Sequence, residues 1–283
     1  MKNLFYSSAM LLLLSITVST TSCSESNGKN NSSSANVNEA GVPVLLERSI
    51  TTGSDEETNN IRTTYDNSIL AVTKNALDYQ SYINLATVFI TEGRITGNLA
   101  YYNEAAMQML DKVIDAKQPN KDIVFQALSY KSAVLLSMHQ FQQALDVAKQ
   151  GAAINDKYSG IYGAMIDANV ELGNYAEAVQ LCDKMLALRP DLRSYSRASY
   201  IRQIYGDNRG AIDAMKMAVD AGVPGAENTE WARVTLGDLY LNIGAIDTAE
   251  MLYKETLTRR PNYVYAEVGL AKTEKAKKNY DAA

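Results

Sequence analysis

The chain has 283 residues, 46% of them hydrophobic and 21% charged, with a net charge of −5. That is enough apolar material for a large buried surface, and the absence of a basic excess argues against a nucleic-acid partner. Two cysteines, Cys23 and Cys182, make an intrachain disulfide framework improbable, and the single histidine, His139, removes most metal-site and charge-relay chemistries.

Residues 1–22 read as an export signal. Lys2 gives a positive start, Ala9–Val18 a short apolar stretch, and Ser19–Ser22 a run of small residues. The apolar stretch is about half the ~20 residues that a membrane-crossing helix needs. Cys23, placed directly after the small residues, resembles the lipobox of bacterial lipoproteins, in which cleavage precedes the cysteine and lipid, palmitate included, is attached to it. Thr20 stands where that family prefers leucine, so an ordinary secretory signal with an incidental cysteine is the alternative. Ser24 resembles the outer-membrane pattern of such lipoproteins. The resemblance implies an exported chain, lipid-anchored to the outer membrane through Cys23.

Residues 23–58 are then expected to be a disordered Ser/Asn-rich tether, in which the tract from Ser24 to about Val37 is too poor in apolar groups to order itself. Within it, Asp55, Glu56 and Glu57 sit as solvated charge before the first helix. Residues 59–78 are expected to form an N-terminal capping helix, with Ile61, Tyr65, Ile69 and Val72 at helical spacing.

From residue 79 to 283 the chain repeats. Alanine recurs at Ala105, Ala144, Ala178, Ala211, Ala249 and Ala283, with gaps of 39, 34, 33, 38 and 34 by subtraction. Such periods mean stacked supersecondary units. An aromatic or apolar residue lies three before most of them (Tyr102, Phe141, Tyr175, Ile246, Tyr280), and a glycine five before several (Gly173, Gly206, Gly244). In the unit Ser159–Pro190, Tyr162, Met165, Ile166 and Asn169 form one helical face. Gly173-Asn174 breaks that helix, and Ala178, Leu181, Cys182 and Met185 line a second. Ala178 is small because the two helices cross closely there; a larger group would cost roughly 1–3 kcal/mol by overpacking.

These residues resemble the tetratricopeptide repeat. The unit from Glu230 matches best, with Leu236-Gly237, Tyr240, Gly244, Ala249, Tyr253 and Pro261. The unit from Phe125 keeps Ser132, Leu135, Phe141 and Ala144 but has His139 in the turn-glycine place and Asp156 in the proline place. The unit from Leu192 keeps Ser199, Gly206, Ala211 and Ala218, with Arg202 where a large apolar residue is usual. An irregular first unit (Tyr82, Leu85, Ala86, Phe89, Gly93) carries an insertion, Arg94 to Tyr101, and another insertion lies near Gly225. The resemblance implies an all-α, right-handed superhelix, or α-solenoid, of about five helix-turn-helix repeats plus a last unit cut short near Tyr280. That short unit reads as the edge of a longer protein.

In such arrays the first helices line a concave trough. The resemblance places Gln126, Asp167, Glu171, Arg193, Ser196, Tyr200, Gln203, Trp231, Asp238, Asn242, Tyr265, Lys272 and Lys275 on it, with Arg197 alongside. Arg, Tyr and Trp dominate binding hot spots. Arg193, Arg197 and Tyr200, at i, i+4 and i+7, could grip a carboxylate. Trp231 and Tyr265 either open on the trough or fill seams between repeats. The lysine and asparagine set of chaperone-tail clamps is not found, His139 reads as a surface turn residue, and Cys182 as a buried filler.

No catalytic triad, phosphate loop or metal-ligand cluster is legible, so neither an enzyme nor a cofactor is expected. The favoured reading is a membrane-anchored scaffold that takes a protein or peptide partner in the trough of an envelope assembly. The alternative is a glycan- or nutrient-binding lipoprotein of an outer-membrane import system. A catalytic domain beyond Ala283 is the third class.

Overall fold

The computed structural model describes residues 37–48, 54–117 and 119–279. The export signal, Cys23, most of the Ser/Asn tract and Ala283 lie outside the described residues. Twelve helices follow one another: α1 (Asp55–Lys74), α2 (Tyr79–Thr96), α3 (Leu99–Asp115), α4 (Lys121–Ser137), α5 (Phe141–Ile154), α6 (Ser159–Glu171), α7 (Tyr175–Leu188), α8 (Leu192–Ile204), α9 (Asn208–Asp220), α10 (Glu227–Asn242), α11 (Ile246–Arg259) and α12 (Val264–Ala276). The described residues contain no strand, only an isolated β-bridge between Val37 and Pro43. Among them, no helix is long and apolar enough to cross a membrane.

Helices α2 to α11 form five antiparallel hairpins, and α12 opens a sixth. Each hairpin packs on the next. The first helices α2, α4, α6, α8, α10 and α12 also touch their next-but-one neighbours, which the second helices do not do comparably. Crowding on one side and splaying on the other bends the stack, so the first helices form the inner wall. The apolar interior is correspondingly divided into successive clusters along the array instead of one central core.

The repeating alanines explain the spacing. Ala105, Ala144, Ala178, Ala211 and Ala249 have no exposed surface. Each sits where two helices of a hairpin meet. The turns are equally uniform. Asn174 N–H donates to Asn169 C=O at 2.8 Å, and the same six-to-one bond recurs at Gln140–Leu135, Asp207–Arg202 and Ala245–Tyr240, each 2.9 Å. This turn needs a left-handed residue. Gly173, Gly206 and Gly244 supply it, and His139 adopts it at φ +57°. Lys278 does so again at φ +66°, with Asn279 N–H on Glu274 C=O. The sixth unit therefore begins its own hairpin turn.

Three expectations need correction. First, the tether does not extend to residue 58. Residues 37–48 form an ordered strap across the first unit. Val42 is fully buried. The Tyr65 and Tyr101 hydroxyls donate to the carbonyls of Pro43 (2.8 Å) and Val44 (2.7 Å), and the Leu46 N–H donates to the Tyr102 hydroxyl at 3.1 Å. Arg48 pairs with the buried Glu92. Val42 joins the first apolar cluster with Ala40, Leu45 and Leu46 packed against it, and tyrosine hydroxyls hold the main chain between them.

Second, the capping helix runs Asp55–Lys74. Ser54 caps it by accepting from the Glu57 N–H at 3.1 Å, and Asp55, Glu56 and Glu57 occupy its first turn, where the helix dipole favours them. Third, the insertion Arg94–Tyr101 does not stand before the second helix but is shared between the two helices. Helix α2 continues to Thr96, and α3 starts at Leu99 after the left-handed Gly97. Gly93 lies inside α2, where a Cβ would come within 3.2 Å of Tyr102 Cβ.

The trough is also less open than the repeats alone imply. Arg260, just past α11, is 1% exposed and donates from Nη1 to Glu57 Oε2 at 2.9 Å, near the start of α1. It donates as well to the Gly225 carbonyl at 3.3 Å and lies over the Tyr263 ring. Arg94 at the end of α2 pairs with Glu227 at the start of α10, with Nη2 2.8 Å from Oε2. The superhelix thus meets itself across the inner wall.

Within the last units, Tyr253 is fully buried with the backbones of Gly237 and Gly269 against its ring, and its hydroxyl donates to Asp238 at 3.0 Å. A Cβ on Gly237 would lie 2.5 Å from Tyr253 Cε1. The Gly237→Val variant should lose about 2 kcal/mol, within the ~1–3 kcal/mol range for overpacking. Urea denaturation followed by circular dichroism measures it; an unchanged midpoint would contradict this packing.

Candidate binding cavity

Closure of the superhelix leaves a cavity of about 890 Å³ on the inner wall. Its floor comes from α8 and α10, with Leu192, Ser196, Tyr200 and Gln203 on one and Trp231, Thr235, Asp238 and Leu239 on the other. Tyr265 of α12 closes one side, and Ile90, Arg94, Leu99, Asn103 and Val134 of α2 to α4 face them. Ridges three and four residues apart on a helix share a face, and this puts Ser196, Tyr200 and Gln203 together.

A second chamber of about 790 Å³ adjoins it, lined by Phe125, Gln126, Tyr130 and Tyr158 among others. Arg94, Ala133, Asp167, Arg193 and Arg197 line both. The two chambers are one elongated trough with arginines at the junction.

The aromatic side chains do not fill seams. Trp231 is 38% exposed, Tyr200 45% and Tyr265 50%, and all three face the cavity. Tyr265 also packs against the buried Tyr263, with ring centroids 5.3 Å apart. Partial burial pushes the Tyr200 phenol above its ordinary pKa. Burial together with the neighbouring Glu227 carboxylate, which accepts from the hydroxyl at 2.9 Å, pushes Tyr263 far up.

The charges of the trough are largely paired with one another. Arg197 donates from Nε to Asp167 Oδ1 at 2.8 Å and from Nη2 to Oδ2 at 2.5 Å. Its Nε also reaches the Gly163 carbonyl at 3.2 Å and its Nη1 the Arg193 carbonyl at 3.1 Å. Asp238 accepts from Tyr253 and from Lys272, both at 3.0 Å. Arg193 differs: its nearest carboxylate, Asp191, stands 3.6 Å away.

So Arg193 and Arg197 do not form one fork for a foreign carboxylate, because Arg197 already holds Asp167. Of the residues placed on the trough by sequence, Asp167, Arg193, Ser196, Arg197, Tyr200, Gln203, Trp231, Asp238 and Tyr265 line the first chamber, and Gln126 the second. Glu171, Asn242, Lys272 and Lys275 are not among the lining residues, although Lys272 braces Asp238. Reasoning from the repeats missed the opposite wall, from Ile90 to Val134, because the irregular register of the first unit hides which residues face inward. It also missed Gly163. A Cβ there would meet Arg197 Cζ at 2.9 Å and push the guanidinium aside. Cys182 is buried, and burial pushes its thiol up to about 11, in keeping with a filler role.

Residues 135–199 match the family model of the tetratricopeptide repeat. The chain is similar in fold to solved tetratricopeptide-repeat structures. One is a thermophilic protein of Thermus thermophilus, at 19% identity and TM-score 0.59, covering 69% of this chain and 98% of that one. Another is a protein of Parabacteroides merdae, at 14% identity and TM-score 0.61, covering 77% and 79%. The fold is also similar to a chain of the APC/C hetero-tetramer Cut9–Hcn1, at 15% identity and TM-score 0.59, covering 78% of this chain and 41% of that one. These likenesses establish an α-solenoid of tetratricopeptide type. The curated proteins give no sequence match.

Trp231 is the only tryptophan. Acrylamide should therefore quench the fluorescence of the folded protein substantially, with a red-shifted emission. Strong shielding and blue emission would place the indole in a seam instead.

Proposed function

We propose that this chain is an interaction scaffold that holds an extended segment of a protein partner in its inner trough. The observation that carries the reading is the pair of continuous chambers walled by half-exposed aromatic side chains. Aromatic rings give large contact area with few rotatable bonds. The amides of Gln203 and Asn228 line the same chamber and match the donors and acceptors of a peptide backbone. An elongated trough suits a chain better than a compact small molecule. Tetratricopeptide-fold proteins are generally non-catalytic scaffolds, and the three carboxylates of the first chamber, Asp167, Glu227 and Asp238, are each held by a cation.

We further infer that the scaffold works at the envelope of a bacterium, anchored to the outer membrane by lipid on Cys23. That part rests on the sequence of the first 23 residues. Two acyl chains make such an anchor stable, since each buried CH₂ contributes about 0.8 kcal/mol.

Site-specific photo-crosslinking in the native host tests both parts. A benzophenone amino acid at Tyr200 should yield a discrete protein adduct in the membrane fraction, and one at Asp213 on the outer face of α9 should not. The adduct should leave the membrane fraction in a Cys23→Ser background. Adducts from Asp213 alone, or from neither position, would contradict the trough; an adduct unaffected by Cys23→Ser would contradict the anchor.

A further inference from the structure

We infer that Arg193 selects the occupant of the trough, and that the occupant is a peptide segment carrying an acidic side chain beside an aromatic one. This deepens the scaffold reading and rests on it. The inference follows from the charges of the trough. Three arginines line it: Arg94, Arg193 and Arg197. Glu227 holds Arg94 and Asp167 holds Arg197 with two bonds. The remaining acid of the first chamber, Asp238, is taken by Lys272 and Tyr253.

Arg193 is left with the weakest partner of the three. Asp191 lies 3.6 Å away and is committed elsewhere, since its Oδ1 accepts the backbone N–H groups of Arg193 (3.0 Å) and Ser194 (3.1 Å) and its Oδ2 faces Arg189 at 3.3 Å. The Arg193 side chain is 48% exposed and stands where the two chambers join. A carboxylate arriving there finds a guanidinium fork in a partly desolvated trough, where charge attraction is screened less than at an open surface. The first chamber beside it offers Tyr200, Trp231 and Tyr265 to an aromatic side chain. Asp122 lines the second chamber and disfavours an acid placed deeper. The recognition is therefore one carboxylate at the junction with an aromatic ring next to it.

The test uses the folded full chain and short end-capped peptides of alternating phenylalanine and aspartate, compared with phenylalanine–asparagine and phenylalanine–lysine versions. Trp231 emission reports binding. The aspartate peptide should bind about tenfold more tightly than the asparagine peptide, as a charge-assisted fork implies. The preference should shrink as salt is raised. Arg193→Gln should abolish it, bringing the aspartate and asparagine peptides to equal affinity, and Arg193→Lys should keep part of it. Arg193 is exposed, so an unchanged circular dichroism melt shows that both variants fold. Equal affinity for the aspartate and asparagine peptides, or a preference that survives Arg193→Gln, would overturn the role of Arg193 and leave the peptide-binding trough standing. No binding of any of the peptides would overturn both. An Arg193-dependent response to an acidic oligosaccharide, without one to the peptides, would do the same.

Discussion

The buried guanidinium of Arg260 is the constraint on which the inner architecture depends. Removing a charge from water costs several kcal/mol per ion even after relaxation. That cost is offset only by close partners, and Arg260 gathers them from three places: the Glu57 carboxylate of α1, the Gly225 carbonyl before α10, and the face of Tyr263. The pairing is not optimal, since Arg260 Nε has no hydrogen-bond partner among the described residues. A buried ion pair is weak evidence for stability in itself. Here it fixes geometry, because its two partners come from opposite ends of the array.

Closure changes what the repeats can do. A simple stack of helical hairpins is quasi-one-dimensional, each unit touching its neighbours, with an open concave face. Joining the first helix to the end of α11, and α2 to α10 through Arg94 and Glu227, places the walls of α2 to α4 opposite those of α8 and α10. Aromatic side chains that would lie on an open surface then face an enclosed trough. Internal ion pairs become worthwhile in the same setting. The Arg197–Asp167 pair shapes the junction of the two chambers instead of dangling in solvent.

How far the sequence could be read follows from the range of each interaction. The alanines at hairpin crossings and the left-handed turn residues obey local rules, and all of those in the described residues fall where the spacing placed them. Even the departure at His139 was legible, because its place in the repeat demanded a turn. The strap was not. Its apolar run, Val42 to Leu46, is too short and aperiodic to name a partner, and the tyrosine hydroxyls that hold its main chain come from helices up to 57 residues away. The ends of α1 and α2 shifted because a cap and a single glycine, Ser54 and Gly97, set them against weak periodicity. The trough was half legible. Its α8 and α10 wall follows from the repeat register, whereas the opposite wall and the Arg260–Glu57 contact depend on pairings up to 203 residues apart in sequence. Pattern reasoning over one repeat has no access to them.

Closure itself is the point to measure. Spin labels on cysteines replacing Glu56 and Arg259, the exposed neighbours of Glu57 and Arg260, report it by pulsed electron resonance in a Cys23→Ser, Cys182→Ala background. A superhelix closed by this contact gives one short, narrow distance distribution, which lengthens when Glu57 is replaced by glutamine. A broad distribution of long distances, unchanged by that replacement, would mean that the array is open and that the trough has no second wall.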